Sequence, residues 1–203
     1  DESVSVLRKF THLKYSLMPY LYGAARQAHT EGLPVMRPMM LGFPGDPAVT
    51  HLDRQYLLGG DLLVAPVFSE GGQVTFYVPA GSWTRFGTTE VLEGPGWVTE
   101  THSFDSVPLL VRPGAVIPLG ARTDRPDYDY RDGVTLRLHA LGDGSGTEVV
   151  VPGPAGEDTV FTVARDGDEI RIARSGAALP WRVEVVGGGT ADLGAADDSW
   201  RGV

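Results

Sequence analysis

Apolar residues near the start of the chain recur at spacings of three and four. Val6, Phe10, Leu13, Leu17, Leu21, Ala24 and Ala28 fall on one face of a helix expected over residues 1 to about 31. Pro19 sits inside this pattern without an N–H to donate, which predicts a kink. Gly32 is placed to end the helix in a left-handed conformation. A helix cannot bury its own stripe, so the covering surface must come from later chain or from chain beyond these residues.

The next pattern is shorter. Leu33–Leu41 is an apolar run that predicts a strand. Asp46 and Pro47 read as the N-cap and first residue of a second helix, running through Asp53-Arg54-Gln55-Tyr56 to a stop at Gly59-Gly60. Helix, strand and helix amount to one and a half units of an α/β barrel, and a barrel needs about eight.

From Asp61 the period changes to two. Leu62–Phe68 reads as a buried strand, and in Gln73–Val78 the residues Val74, Phe76 and Val78 face opposite to Gln73, Thr75 and Tyr77. Further strands are expected at 83–86, 97–102, 108–111, 115–119, 135–139, 147–151, 159–164, 169–173 and 181–186, with Gly and Pro between them. Asp166-Gly167 is a two-residue hairpin turn. The polar connector Arg122–Tyr130 marks a domain boundary, and the Gly- and Asp-rich tail from Gly187 is expected to be loosely ordered. The expected fold is mainly β: two C-terminal antiparallel β-sandwich domains (61–121 and 122–203) preceded by a helix–strand–helix remnant of a (β/α)8 barrel (1–60).

Composition narrows the chemistry. The 203 residues suffice for one or two domains with a core, and 27 Gly with 15 Pro suit a turn-rich β fold. A net charge of −9 argues against a nucleic-acid partner, which needs a basic stripe. With no Cys, thiolate catalysis, disulfides and Cys-ligated metals are excluded, and no apolar run is long enough to span a bilayer as a helix.

The histidines His12, His29, His51, His102 and His139 lack metal-ligand spacing and form no HExxH motif, so surface or helix-face positions explain them better than a metal. The glycines of Leu141–Gly146 lack the Lys-Ser/Thr ending of a phosphate loop and read as a hairpin turn. Glycoside hydrolysis needs two carboxyl groups about 5–10 Å apart. Asp46, Asp53, Asp61 and Glu70 sit at turns and helix ends, where capping and ion pairing are the simpler readings. Trp83, Phe86 and Trp97 are the residue types that stack on sugars, but packing between sheets is favoured. Trp97 is expected to begin a strand after a Gly94-Pro95-Gly96 turn.

The motifs carry a family resemblance. Phe10–Tyr22 (FTHLKYSLMPYLY) is similar to the last long barrel helix of glycoside hydrolase family 31, and Gly32–Met39 (GLPVMRPM) resembles its eighth barrel strand. Asp53–Gly59 with Asp61–Val67 (DRQYLLG, DLLVAPV) resembles its exit into the proximal C-terminal domain. Pro79–Trp83 (PAGSW) and Pro108–Leu119 (PLLVRPGAVIPL) complete that domain. Within the family, Trp83-Thr84 and Arg125–Tyr130 (RPDYDY) resemble the α-xylosidase branch, although Gly87 stands where an aromatic is common.

The resemblance implies a retaining α-glycosidase acting on terminal α-xylosidic or α-glucosidic bonds of oligosaccharides. Its nucleophile and acid/base are aspartates on earlier barrel strands, and no position here matches either motif. No catalytic, substrate-binding or metal-ligating residue is therefore placed on this chain, and no cofactor is expected. These residues would be scaffold, with Arg37 the one candidate to support the active-site end, or equally to serve as a structural ion-pair partner. The expected partner is an oligosaccharide in the full-length enzyme, with no nucleic acid and no membrane. Homo-oligomer contacts are compatible with this reading, and a cytoplasmic location is expected. The rival reading is a free-standing β-sandwich module for carbohydrate binding or interaction.

Overall fold

A computed structural model describes residues 2–203, so Asp1, the first residue of the expected helix, lies outside the described residues. The chain forms two compact units: residues up to Lys9 with Ala24–Pro113, and Phe10–Gly23 with Gly114–Val203. Among the described residues no helix is long and apolar enough to cross a membrane.

The first helical pattern becomes two helices, α1 (Glu2–Ser16) and α2 (Met18–Glu31). The break falls at Leu17, two residues before Pro19. The proline has no N–H to offer the carbonyl of Tyr15, and its ring crowds that carbonyl. Ordinary i to i−4 bonding continues on either side, from Leu17 N–H to Leu13 O at 3.0 Å and from Leu21 N–H to Leu17 O at 2.9 Å. Gly32, with φ of +74°, follows the last turn as expected. The stripe is only partly covered: Leu17 is buried, Phe10 and Leu13 are half-buried, and Val4 and Leu7 are exposed.

The first unit is built on one six-stranded antiparallel sheet. Its strands are β1 (Met36–Pro38), β2 (Tyr56–Leu58), β3 (Leu62–Val64), β4 (Gln73–Arg85), β5 (Val91–Thr101) and β6 (Leu109–Val111), in the order β1-β2-β3-β6-β4-β5. Two local expectations fail here. The strand expected at Leu33–Leu41 is extended only over β1, and Met39–Gly42 turns into a short helix, α3. The helix expected from Pro47 stops as a 3-10 turn at Val49, and Tyr56–Leu58 is a strand. Leu57 explains the second outcome. It pairs with Arg37 on one side and Leu63 on the other and is fully buried, an environment that an isolated amphipathic turn could not supply.

Strand β4 joins two expected strands through a bulge between Val78 and Gly81, where Pro79 has no ladder N–H to give. The supposed Gly94-Pro95-Gly96 turn is instead strand. Gly94 lies across from Gly81, and a Cβ there would sit 2.0 Å from the Pro79 carbonyl oxygen, so the close approach requires glycine. Phe76, Val78, Trp83, Leu57, Leu63, Leu110 and Met39 form the core of this unit.

The second unit is a sandwich. Its strands are β7 (Val116–Leu119), β8 (Val134–Leu138), β9 (Gly146–Val151), β10 (Thr159–Asp166), β11 (Glu169–Ser175), β12 (Trp181–Val185), β13 (Thr190–Leu193) and β14 (Ser199–Gly202). They make two four-stranded sheets, β14-β11-β10-β9 and β13-β12-β8-β7. Val134, Leu136, Leu138 and Trp181 from one sheet meet Val151, Phe161, Val163 and Ile172 from the other in one core. The pairing of β8 with β12 is parallel, a departure from the all-antiparallel expectation.

Strand β7, counted with the proximal region in the sequence reading, pairs along its length with β8 and belongs to the second unit. The tail is also more ordered than expected. β13 closes a hairpin on β12, and Trp200 of β14 pairs with Ile172 and packs on the core. Trp181 Nε1–H donates to the Asp197 carbonyl at 2.8 Å, which ties the intervening loop down.

Candidate functional site

The carboxylates weighed from sequence take structural positions. Asp46 caps the 3-10 turn, its Oδ1 accepting from Ala48 N–H at 2.9 Å, with Pro47 next as expected. Its Oδ2 accepts from the Tyr77 hydroxyl at 2.8 Å. Asp53 and Glu70 are exposed in irregular chain and a turn, and Asp61 stands in the turn before β3. Among the described residues no group of three or more His, Asp or Glu side chains is arranged to hold a metal. His12, His29 and His51 are exposed. The Leu141–Gly146 segment is a turn between β8 and β9, with Asp143 Oδ1 accepting from Gly167 N–H at 2.7 Å and no helix following.

Arg37 is buried in β1. Its Nε donates to the Pro34 carbonyl at 3.0 Å and its Nη2 to Gln27 Oε1 at 2.5 Å. It therefore ties the end of α2 to β1 through neutral acceptors. Arg112 does similar work: it donates to the carbonyls of Gly60 and Gly42 and lies 4.5 Å over the Phe43 ring.

Two polar clusters were not foreseen. In the first, the buried Gln55 clamps the backbone of Tyr77, donating to its carbonyl at 2.8 Å and accepting from its N–H at 2.7 Å. Burial, and then the Asp46 carboxylate, push the Tyr77 hydroxyl above its ordinary pKa, so it stays a donor. In the second, Arg85 Nη2 lies 2.5 Å from Glu100 Oε1, His102 Nε2 lies 2.8 Å from Glu100 Oε2, and His102 Nδ1 lies 3.0 Å from Ser106 Oγ. Burial pushes the Glu100 carboxyl up, but the bonds from Arg85 and His102 outweigh it and hold the group below its ordinary range. The Arg85 charge is matched by Glu100 and also by Glu90 at 3.0 Å, so this cluster reads as a clamp between β4, β5 and the following loop. The signal for both clusters lay in strand register, which a linear reading does not contain.

The aromatics divide. Trp83 is fully buried, its Nε1–H donating to the Pro79 carbonyl at 2.9 Å, and its ring meets Phe43 at 6.0 Å. Phe86 is half-buried. Trp97 contradicts its expected core position: it is 60 % exposed on the solvent face of β5, with its ring 5.5 Å from that of Tyr77, its direct partner across the ladder. The alternation of β5 decides this, since every second side chain from Val91 points outward and Trp97 falls in that phase.

Comparison with known proteins agrees along the length of the chain. Residues 32–117 match the sequence model of the glycosyl hydrolase family 31 C-terminal domain, and residues 129–201 match that of the C-terminal domain of alpha-xylosidase YicI. An alpha-xylosidase of Emericella nidulans is 42% identical over 149 residues, 68% of this chain and 19% of the relative. Alpha-xylosidase XylQ of Lactiplantibacillus pentosus is 36% identical over 183 residues, 88% of this chain and 23% of the relative. Among solved structures, the Flavobacterium johnsoniae dextranase FjDex31A superposes with a TM-score of 0.79 at 28% identity, covering 91% of this chain and 25% of that one. The Xanthomonas citri alpha-xylosidase Xac1773 does so at 0.73 and 27%, covering 94% and 23%. The chain thus spans about a fifth of the length of the curated relatives it matches. Two consecutive domain matches, relatives of the same family and the same β architecture lead to one assignment: the chain belongs to glycoside hydrolase family 31, as its C-terminal domains, near the α-xylosidase branch.

Proposed function

We propose that this chain is the C-terminal scaffold of a retaining α-glycosidase that hydrolyses terminal α-xylosidic or α-glucosidic bonds of oligosaccharides, with both catalytic aspartates on barrel strands outside these residues. The observation that carries the reading is the pair of consecutive C-terminal domain matches over 32–117 and 129–201, shared with α-xylosidase relatives. The side-chain chemistry supports it. The carboxylates weighed from sequence cap a turn or stand in turns and loops, and Glu100 is neutralised by Arg85. Glycosidic cleavage needs an acid and a nucleophile flanking one bond.

The same unit exposes large apolar side chains, Val4 and Leu7 on α1 and Met36, Met40 and Leu41 around β1 and α3. A self-contained binding module has no use for such surface, whereas a scaffold buries it against the catalytic barrel. The test is activity. The 203-residue chain should release nothing from aryl α-xylosides or α-glucosides, while the full-length protein turns one of them over. Turnover by the isolated chain that survives repurification and is lost on Asp61→Asn would overturn the reading.

A further inference from the structure

Trp97 is not used by the scaffold role, and its surroundings are built rather than incidental. The residue opposite it, Tyr77, is held at three points: both backbone polar groups by Gln55 and the hydroxyl by Asp46. An indole lying against so fixed a ring is itself restrained, yet most of its surface is open to solvent. One step along the ladder, about 7 Å away, Thr75 and Thr99 face the same side. Both are exposed, and their hydroxyls share one hydrogen bond of 2.8 Å. That bond uses one donor, so the pair still offers one hydroxyl hydrogen and several lone pairs to a ligand.

We infer that this face of the β4–β5 hairpin is a carbohydrate-binding surface, with Trp97 as the platform for a neutral pyranose ring and the Thr75–Thr99 pair as its hydroxyl partners. The proposal goes beyond hydrolysis and needs no catalytic group. Its chemistry selects the occupant. A pyranose offers a face of C–H groups to an aromatic ring and a rim of hydroxyls to polar neighbours. Here one exposed aromatic, backed by the buried Tyr77 ring, stands beside uncharged hydroxyls, and the nearest acidic group outward on the same face of β5, Glu93, accepts from Ser82 Oγ at 2.8 Å. A protein partner would call for a contiguous apolar patch. Met36, Met40 and Leu41 lie on other elements, and Val91, exposed on this face of β5, stands six residues from Trp97, about 20 Å along the strand, so the two form no contiguous patch.

The test is affinity electrophoresis of the full-length protein containing this chain, in gels cast with soluble dextran or with xyloglucan. The parent should be retarded by at least one polysaccharide. Trp97→Ala should bind it about three- to tenfold more weakly, as expected for the loss of one stacking contact. Trp97→Phe should retain most of the retardation, which separates lost stacking from lost folding, and Thr99→Val should weaken it while leaving turnover of a small aryl glycoside unchanged. No retardation of the parent, or equal retardation of parent and Trp97→Ala, overturns the proposal. Because turnover of the small substrate is read separately, failure here leaves the assignment of hydrolysis standing, and failure of hydrolysis leaves this surface standing.

Discussion

Acid should destabilise the second unit in part through one buried side chain, His139. The residue directly follows β8 and is 0 % exposed, with neither ring nitrogen engaged in a hydrogen bond. Its backbone is fixed instead, the N–H donating to Ala115 O at 2.9 Å and the carbonyl accepting from Gly114 N–H at 2.8 Å. Burial, and then the positive charge of Arg137, lower its pKa from 6.5 to about 4. The unfolded chain therefore takes up a proton near pH 6.5 that the folded chain refuses until about 4. Unfolding gains as the pH falls through that window, and the stability present above it is lost. At about 1.4 kcal/mol per pH unit, about 2 kcal/mol is gone by pH 5 relative to pH 8, and about 3 kcal/mol by pH 4. For a unit of this size a loss of about 2 kcal/mol lowers the midpoint by roughly 10 °C.

Calorimetry of the parent and of His139→Phe at about pH 8 and about pH 5 measures this directly. Carboxylates titrate in both proteins, so the difference between their pH slopes isolates the histidine. The variant should be at least as stable at pH 8, because it replaces an unpartnered polar ring with an apolar one of similar shape, and it should lose less than the parent on acidification. Equal pH slopes for the two proteins would falsify the reasoning.

The remaining predictions concern the first unit. Trp83→Ala should cost about 3–5 kcal/mol in urea unfolding, since the ring is fully buried and donates to Pro79. Trp97→Ala should cost about 1 kcal/mol or less, since most of its ring already faces water. Gln55→Leu should lose about 2–4 kcal/mol by leaving both backbone polar groups of Tyr77 without their partner, a loss readable as a lower urea midpoint. Asp46→Ala should cost about 1–2 kcal/mol, combining a lost cap with a lost partner for the Tyr77 hydroxyl. Asp46→Asn, whose Oδ1 can keep the cap while its Nδ2 donates to the Tyr77 hydroxyl oxygen, should recover most of it in the same unfolding assay.

Much of this architecture was legible in the chain. Apolar runs and period-two patterning located most of the strands, though not β2, β13 or β14, because a half-buried sheet imposes alternation on its residues. The Pro19 break and the Gly32 stop followed from backbone chemistry alone. What escaped depended on partners distant in sequence. Tyr56–Leu58 looked helical because its two flanking strands lie about 20 and 6 residues away, and nothing local announces them. Strand β7 sits only a few residues after β6 yet pairs with β8, so no compositional boundary separates the two units where the chain changes sheets. The tail's glycines suggested disorder, but Trp200 alternates into the core and holds β14 in place. Trp97 was misassigned to the core because its strand was read as starting there, whereas the phase set from Val91 turns the indole outward. Gln55 and Glu100 became visible only once register had placed Tyr77 and Arg85 beside them.

Trapping the glycosyl-enzyme tests whether these residues support catalysis performed elsewhere in the protein. The full-length protein can be treated with a fluorinated glycosyl fluoride of the preferred sugar, digested, and searched by mass spectrometry for the labelled peptide. A retaining mechanism leaves the sugar bonded to the nucleophilic carboxylate. One labelled aspartate is expected, in a peptide outside these 203 residues. A label on Asp46, Asp53, Asp61, Glu70 or any other carboxylate of this chain would contradict it.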